Sequence, residues 1–342
     1  MKNVKKIFGA FLLLAALTLC VPAAQSDTLV VLNKSEFRAV LIDPATGNVL
    51  AKLPTGHGPH EVVTSPDGRT AYVSNFGPFN HYPAGDQTHL QPGSTITVID
   101  IENRAVKTTW DLGTHMSPHG LLVSHDGKYV WVTTETPQSL LELDAASGKV
   151  LHVWPSTQQR THLIVATPDE KKFYATNTIS GSVSVIDRAE GTVKVLPTGP
   201  GSEGIAISPD GREVWVGVRA GDKLAVISAA TDEIIATFES GGKGPSRLHF
   251  TPDGKEVWVS NSSSNQEAVF DARERKMLAT IDMPKGPSGM VFSADGRRLY
   301  VADMRDNEVT VIDVAARKVA SRIPTGNDSE PDGLAWAANR LR

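Results

Sequence analysis

Three histidines, His60, His119 and His162, hold the same place in three successive copies of one repeated segment. Imidazole is a base near neutral pH and an ordinary ligand for zinc, copper or iron. The copies read GHGPHEVVTSPDGRTAYVSN from 56, GTHMSPHGLLVSHDGKYVWVTT from 113 and STQQRTHLIVATPDEKKFYATN from 156. In four later copies the place is taken by Glu203, Ser246, Ser288 and Asp332, with Glu61 beside the first and Arg247 beside the fifth. A repeat keeps its frame for folding, so a position holding a different polar group in each copy is where folding constrains the residue least. Two chemistries fit: a divalent transition metal held by the three histidines, or a metal-free acid/base site in which a carboxylate orients an imidazole. The catalytic candidates are His60, His119, His162 and Glu203, and the ligand-contact candidates are Glu61, Asn75, His81, His89, Arg247 and Asp332. The plainer alternative has these groups capping strand ends and binding channel water.

The elements that position these residues follow from the spacing, with steps of 59, 43, 41, 43, 42 and 44 residues between site positions. A period in the forties with four short apolar runs per unit is the signature of propeller blades. One unit reads as strands over 61–65, 70–75, 95–100 and 106–112, the first two joined by a Pro-Asp-Gly turn. Seven third-strand endings, from LID at 41–43 to VID at 311–313, predict seven four-stranded antiparallel blades. The chain starts with a second-strand pattern (LVVLN, 29–33) and ends with a first-strand pattern (GLAWA, 333–337), so one blade is shared by both termini and closes the ring. Trp131, Trp215 and Trp258, with Tyr72, Tyr174 and Tyr300, recur at one second-strand position and are expected to pack between blades. Parity puts the site residues on one face, beside the inner strands that line the axial channel. The excess in the first step falls in a loop over 76–94, on that same face, and makes it a candidate lid carrying His81, Tyr82 and His89.

The strings YVSN, WVTT, YATN, WVSN and YVAD resemble the repeat of the YVTN-type β-propeller family, and the resemblance covers essentially the whole mature chain. It implies the fold. The chain also resembles propeller lactonases at the level of repeat and fold, is similar in blade count to antibiotic-lactone lyases, and resembles the propeller domain of haem-dependent nitrite reductases. Those resemblances imply, in turn, lactone hydrolysis or elimination by a histidine with or without a metal, and an axial haem ligand among the three histidines. No catalytic motif of those families aligns residue by residue, so the resemblance carries over the fold alone.

Composition narrows the partners. Lys2, Lys5 and Lys6 precede an apolar run and then a small-residue stretch, so 1–26 reads as a secretory signal, followed by one propeller domain over 27–342. Cys20 offers a lipid-attachment alternative, disfavoured by Leu19 before it. Losing the signal removes the one cysteine and three lysines, and the net charge moves from −4 to −7. The mature chain then has no disulfide, no thiolate chemistry and no CxxCH motif, and its acidity argues against nucleic acid. The expectation is a periplasmic or secreted monomer with no membrane span after signal cleavage, binding a small polar ligand with or without a metal. The alternatives are a lactone hydrolase or lyase, and a non-catalytic surface or interaction scaffold.

Overall fold

The computed structural model describes residues 27–78 and 91–338. The proposed signal and His81, Tyr82 and His89 lie outside the described residues. Seven four-stranded antiparallel sheets form a ring in which each innermost strand touches that of the next blade. Blade 1 consists of Pro331–Ala337, Thr28–Asn33, Arg38–Ile42 and Val49–Pro54, from the axis outward. Blade 2 begins at Pro59, blade 3 at Met116, blade 4 at Thr161, blade 5 at Ser202, blade 6 at Pro245 and blade 7 at Pro287. Ring closure is as the terminal patterns predict: Leu29 pairs with Trp336, Val30 with Ala335 and Val31 with Leu334. This leaves neither terminal strand with an open edge toward its neighbour.

Burial sorts the strands by layer. The two middle strands of a blade are buried on both faces and read as near-continuous apolar runs, as in Thr70–Asn75 and Thr95–Asp100. The outermost strand is mostly exposed and polar, as in Ala105–Asp111. Trp131, Trp215, Trp258 and Tyr174 are fully buried at the expected second-strand position, where aromatic area fills the wedge between blades. In blades 2 to 7 the turn after the inner strand repeats one bonding pattern: Ser65 Oγ donates to Asp67 Oδ1 at 2.6 Å, and the Thr70 backbone N–H donates to Ser65 Oγ at 2.9 Å. Ser124/Asp126, Ser208/Asp210 and Ser293/Asp295 repeat it. A hydroxyl and a carboxylate thus hold the turn that glycine permits, as at Gly68 with φ 72°.

One departure from the expected strand bounds is common to all blades. The inner strand begins before the expected first residue because a β-bulge opens it. In blade 2 Pro59 pairs with Asn75 and Glu61 with Ser74, so His60 is the extra residue. In blade 4 Thr161 pairs with Asn177 and Ile164 with Ala175. The other five blades show the same register shift at the same place.

One buried carboxyl outside the channel carries a measurable cost. Glu267 is fully buried and accepts Ser260 Oγ at 2.6 Å; burial pushes it up to about 8, with help from the nearby Asp303. The native state therefore keeps the proton that the unfolded chain releases above its ordinary value of 4.5, and stability falls as pH rises from there toward 8. Glu267→Gln should remove that loss and stabilise the protein by about 1–3 kcal/mol at pH 8, with little effect at pH 4.5. Parallel stability–pH curves for the two proteins would refute the assignment. Deleting 331–342 removes the inner strand of blade 1 and should abolish the cooperative melt; a truncated chain that melts with the full-length protein refutes the closure argument.

Candidate functional site

The bulge aims the site residue. An extra residue on one strand leaves the ladder and turns its side chain away from the pleat, and here the turn is toward the axis. His60, His119, His162, Glu203, Ser246, Ser288 and Asp332 all line one cavity of about 490 Å³ at the mouth of the channel. The preceding blade fixes the bulge in place. Ser74 Oγ donates to the His119 carbonyl at 2.8 Å, Thr176 Oγ1 to that of Glu203 at 2.9 Å, and Thr133 Oγ1 to that of His162. Blades also approach closely here: a Cβ on Gly120 would sit 2.6 Å from the His162 carbonyl oxygen, and one on Gly289 would sit 2.0 Å from that of Asp332. Where the repeat carries Glu61 and Arg247 in place of that glycine, the two side chains meet across the channel at 2.5 Å. Arg247 also lines the cavity at the opposite end, with Glu61, so the ion pair forms a floor between the two ends.

The three histidines are buried and in contact. Ring centroids of His119 and His162 are 3.7 Å apart, and those of His60 and His119 are 4.1 Å apart. One ligand nitrogen from each lies within 4.8 Å of the others. Burial lowers His60 to about 4, with Lys34 adding to the effect and Asp332 opposing it. Burial also holds His119 and His162 well below the ordinary imidazole value, helped by repulsion within the cluster and from Arg247. All three are neutral at pH 7, the form that binds metal or takes a proton. Asp332 Oδ2 lies 2.7 Å from His60 Nδ1, near enough to orient that ring. Nδ1 of His119 and of His162 is buried with no hydrogen-bond partner among the described residues. Tetrahedral zinc places its nitrogen ligands about 3.3 Å apart, so the imidazoles need side-chain rotation to close on an ion. The donor set, its neutrality and its carboxylate support fit such a metal.

Around the histidines lies a buried charge network. Lys34 Nζ lies 2.5 Å from Asp332 Oδ2, and Ser288 Oγ donates to Asp332 Oδ1 at 2.7 Å. Burial would raise Asp332, but Lys34, His60 and Arg247 outweigh it and hold the carboxyl well below its ordinary value. Burial pushes Glu61 up to about 7 even with Arg247 beside it. Arg219 donates to both Glu203 oxygens, at 2.9 and 2.8 Å.

One expected contact is placed elsewhere. Asn75 is buried inside blade 2, where its amide donates to Thr95 and Thr97 and accepts from the Gly56 N–H. The next residue, Phe76, lines the cavity, since successive side chains on a strand point to opposite sides. The equivalent place lines the cavity in every blade: Lys34, Thr178, Arg219, Ser262 and Met304 each follow the last residue of a second strand, Glu135 stands next to last in Tyr129–Thr136, and all six join Phe76 in a second ring. The repeat alignment carried that signal one place beyond the Asn and Asp positions. His81 and His89 lie outside the described residues.

The comparisons with known proteins bear on this architecture. A family model described as "Lactonase, 7-bladed beta-propeller" matches residues 162–282. The chain is similar to the propeller lactonases. The matched stretch spans blades 4 to 6 and holds His162, Glu203 and Arg247, but not His60, His119 or Asp332. No curated protein matches the chain in sequence. Among solved structures, the Pseudomonas aeruginosa periplasmic gluconolactonase superposes with a TM-score of 0.72 at 21% identity, over 92% of this chain and 99% of that one. A Kuenenia stuttgartiensis hydrazine synthase chain gives 0.72 at 19% identity, over 90% of this chain and 99% of that one. The dihydro-haem d1 dehydrogenase NirN gives 0.64 at 20% identity, over 90% of this chain and 66% of that one. At these identities the likeness is one of fold.

The Lys34–Asp332 pair offers a direct test of the network. Asp332→Ala leaves Lys34 buried without its carboxylate and should cost about 3–5 kcal/mol. The double variant Lys34→Met/Asp332→Leu should recover most of that loss; a double variant as unstable as Asp332→Ala refutes the pairing.

Proposed function

We propose that the protein binds a small polar ligand at the mouth of its axial channel, with His60, His119 and His162 holding a divalent transition metal. The observation that carries this reading is the convergence of three buried, neutral imidazoles, two of which have a ring nitrogen with no partner among the described residues. Unpartnered buried nitrogens cost stability unless something binds them. A metal bound there would supply Lewis acidity toward a ligand oxygen. The protein's own groups do the rest: Asp332 orients His60, Phe76 walls the imidazoles on one side with ring centroids 5.7 Å from His60 and 5.4 Å from His119, and Arg247 stands as fixed positive charge below.

A second reading, hydrolysis of a lactone, is favoured by the family match over 162–282. Here a neutral imidazole takes a proton from water, the water oxygen adds to the lactone carbonyl, the ring C–O bond breaks, and the imidazolium returns the proton to the leaving alkoxide to give the hydroxy acid. Charge on the carbonyl oxygen develops near Arg247. The N-terminal pattern over 1–26 supports export, and the periplasmic address belongs to the reading as a proposal. Among the described residues no helix is long and apolar enough to cross a membrane.

Elemental analysis of untagged mature protein, beside the variant His60→Ala/His119→Ala/His162→Ala, tests the metal. The expected result is about one equivalent of zinc, copper or iron in the wild type and none in the variant. Metal-free wild type that takes up none of these ions refutes the metal site. Turnover of δ-gluconolactone by the wild type alone would move the hydrolytic reading ahead of simple binding.

A further inference from the structure

Two residues before every site residue the backbone is left-handed, in all seven blades. The angle φ is 59° at Gly58, 74° at Gly201, 70° at Gly244 and 72° at Gly286, but also 51° at Ser117, 57° at Arg160 and 48° at Glu330. Glycine takes this conformation freely, while a Cβ is penalised in it. Three blades therefore keep a side chain where the frame of the repeat favours none. Residues held in such backbone regions persist only where the surrounding structure over-determines them, and they cluster at active sites and ligand clamps.

The tasks differ. Glu330 serves the fold: it accepts the Ser35 hydroxyl, and its N–H donates to Asn307 Oδ1 at 3.0 Å. Ser117 donates its backbone N–H, a bond that glycine would also make, to the Gly93 carbonyl at 2.7 Å, and its side chain is not among those lining the cavity. On the opposite face Glu170, with φ 55°, replaces the glycine of the turn after the inner strand and accepts the His125 N–H at 2.6 Å. Arg160 is the departure whose side chain the protein leaves largely uncommitted. It lines the cavity, and among the described residues its one ion-pair contact is from Nε to Glu135, at 3.4 Å, with the side chain 51% exposed. It also stands two residues before His162 in the chain, and both side chains line the same cavity.

We propose that Arg160 recognises an oxyanion group, carboxylate or phosphate, on the ligand seated against His60, His119 and His162. The guanidinium fork matches two oxygens of either group. This inference rests on the proposed pocket and names the ligand class for it: a small anionic molecule, held by Arg160 at one end and by the histidine cluster at the other.

The test is calorimetric titration of sodium gluconate, inorganic phosphate and uncharged glucose into wild type, Arg160→Gly and Arg160→Lys, each with and without one equivalent of zinc. At least one anion should bind the wild type, and Arg160→Gly should weaken it by about tenfold or more, the loss of one or two charge-assisted hydrogen bonds. Arg160→Lys should restore part of the affinity, and glucose should not distinguish the three proteins. Which anion binds separates carboxylate from phosphate recognition. Arg160→Gly should melt no lower than the wild type, because glycine relieves the backbone. Equal anion affinity in wild type and Arg160→Gly overturns the proposal, as does a wild type that binds neither anion. Failure to take up zinc, with the difference between the proteins intact, removes the metal and leaves Arg160 as the anion contact.

Discussion

Everything at the mouth of the channel depends on a single backbone device, the bulge at the start of each inner strand. Without the extra residue, alternation along the strand would fix the site side chain within its own sheet's pleat. With it, seven side chains leave their ladders and point at one axis. The device is stabilised from outside its own blade: Ser74, Thr133 and Thr176 each bond the carbonyl of the next blade's site residue. Site geometry and blade packing are therefore one set of contacts, and a change that loosens the ring also moves the histidines.

Closure of the ring has a similar double consequence. Pairing Pro331–Ala337 with Thr28–Asn33 removes two open strand edges. The same pairing carries Asp332 to within reach of His60 and Lys34, residues 272 and 298 positions earlier in the chain. Burial then sets the protonation of the cluster. In water three adjacent imidazoles and a lysine would be partly or fully charged; here the cost of desolvation keeps the rings neutral, and Asp332 stays ionised because Lys34, His60 and Arg247 surround it. Neutral donors beside a fixed carboxylate are what a metal or a proton-accepting base requires.

The Glu61–Arg247 pair gives the channel its polarity. With it, the cavity that contains the histidines has a charged floor, while the opposite cavity is lined mainly by inner-strand apolar residues such as Val62, Leu121 and Leu248.

The repeat frame by itself determined the number of blades, the shared blade at the termini and the identity of the first ring, because a period of about forty residues admits few architectures and because His60, His119, His162 and Asp332 stand where folding leaves the residue free. It also placed Thr70–Asn75 and Thr95–Asp100 correctly, since fully buried strands read as unbroken apolar runs bounded by turn residues. Tertiary structure alone decided the rest. The bulge is a matter of register between strands, which local pattern does not encode. Alternation along the second strand separates Asn75 from Phe76, but only the packed ring shows that Asn75 faces into blade 2 and Phe76 lines the cavity. The partners of Asp332, and the meeting of Glu61 with Arg247 across 186 positions, exist only once the ring has closed. Likewise, the left-handed backbone at Arg160 marks a departure only because four other blades hold glycine at the same point in space. Sequence spacing sets which residues recur, but distances between distant blades are set by how the wedges pack around the axis.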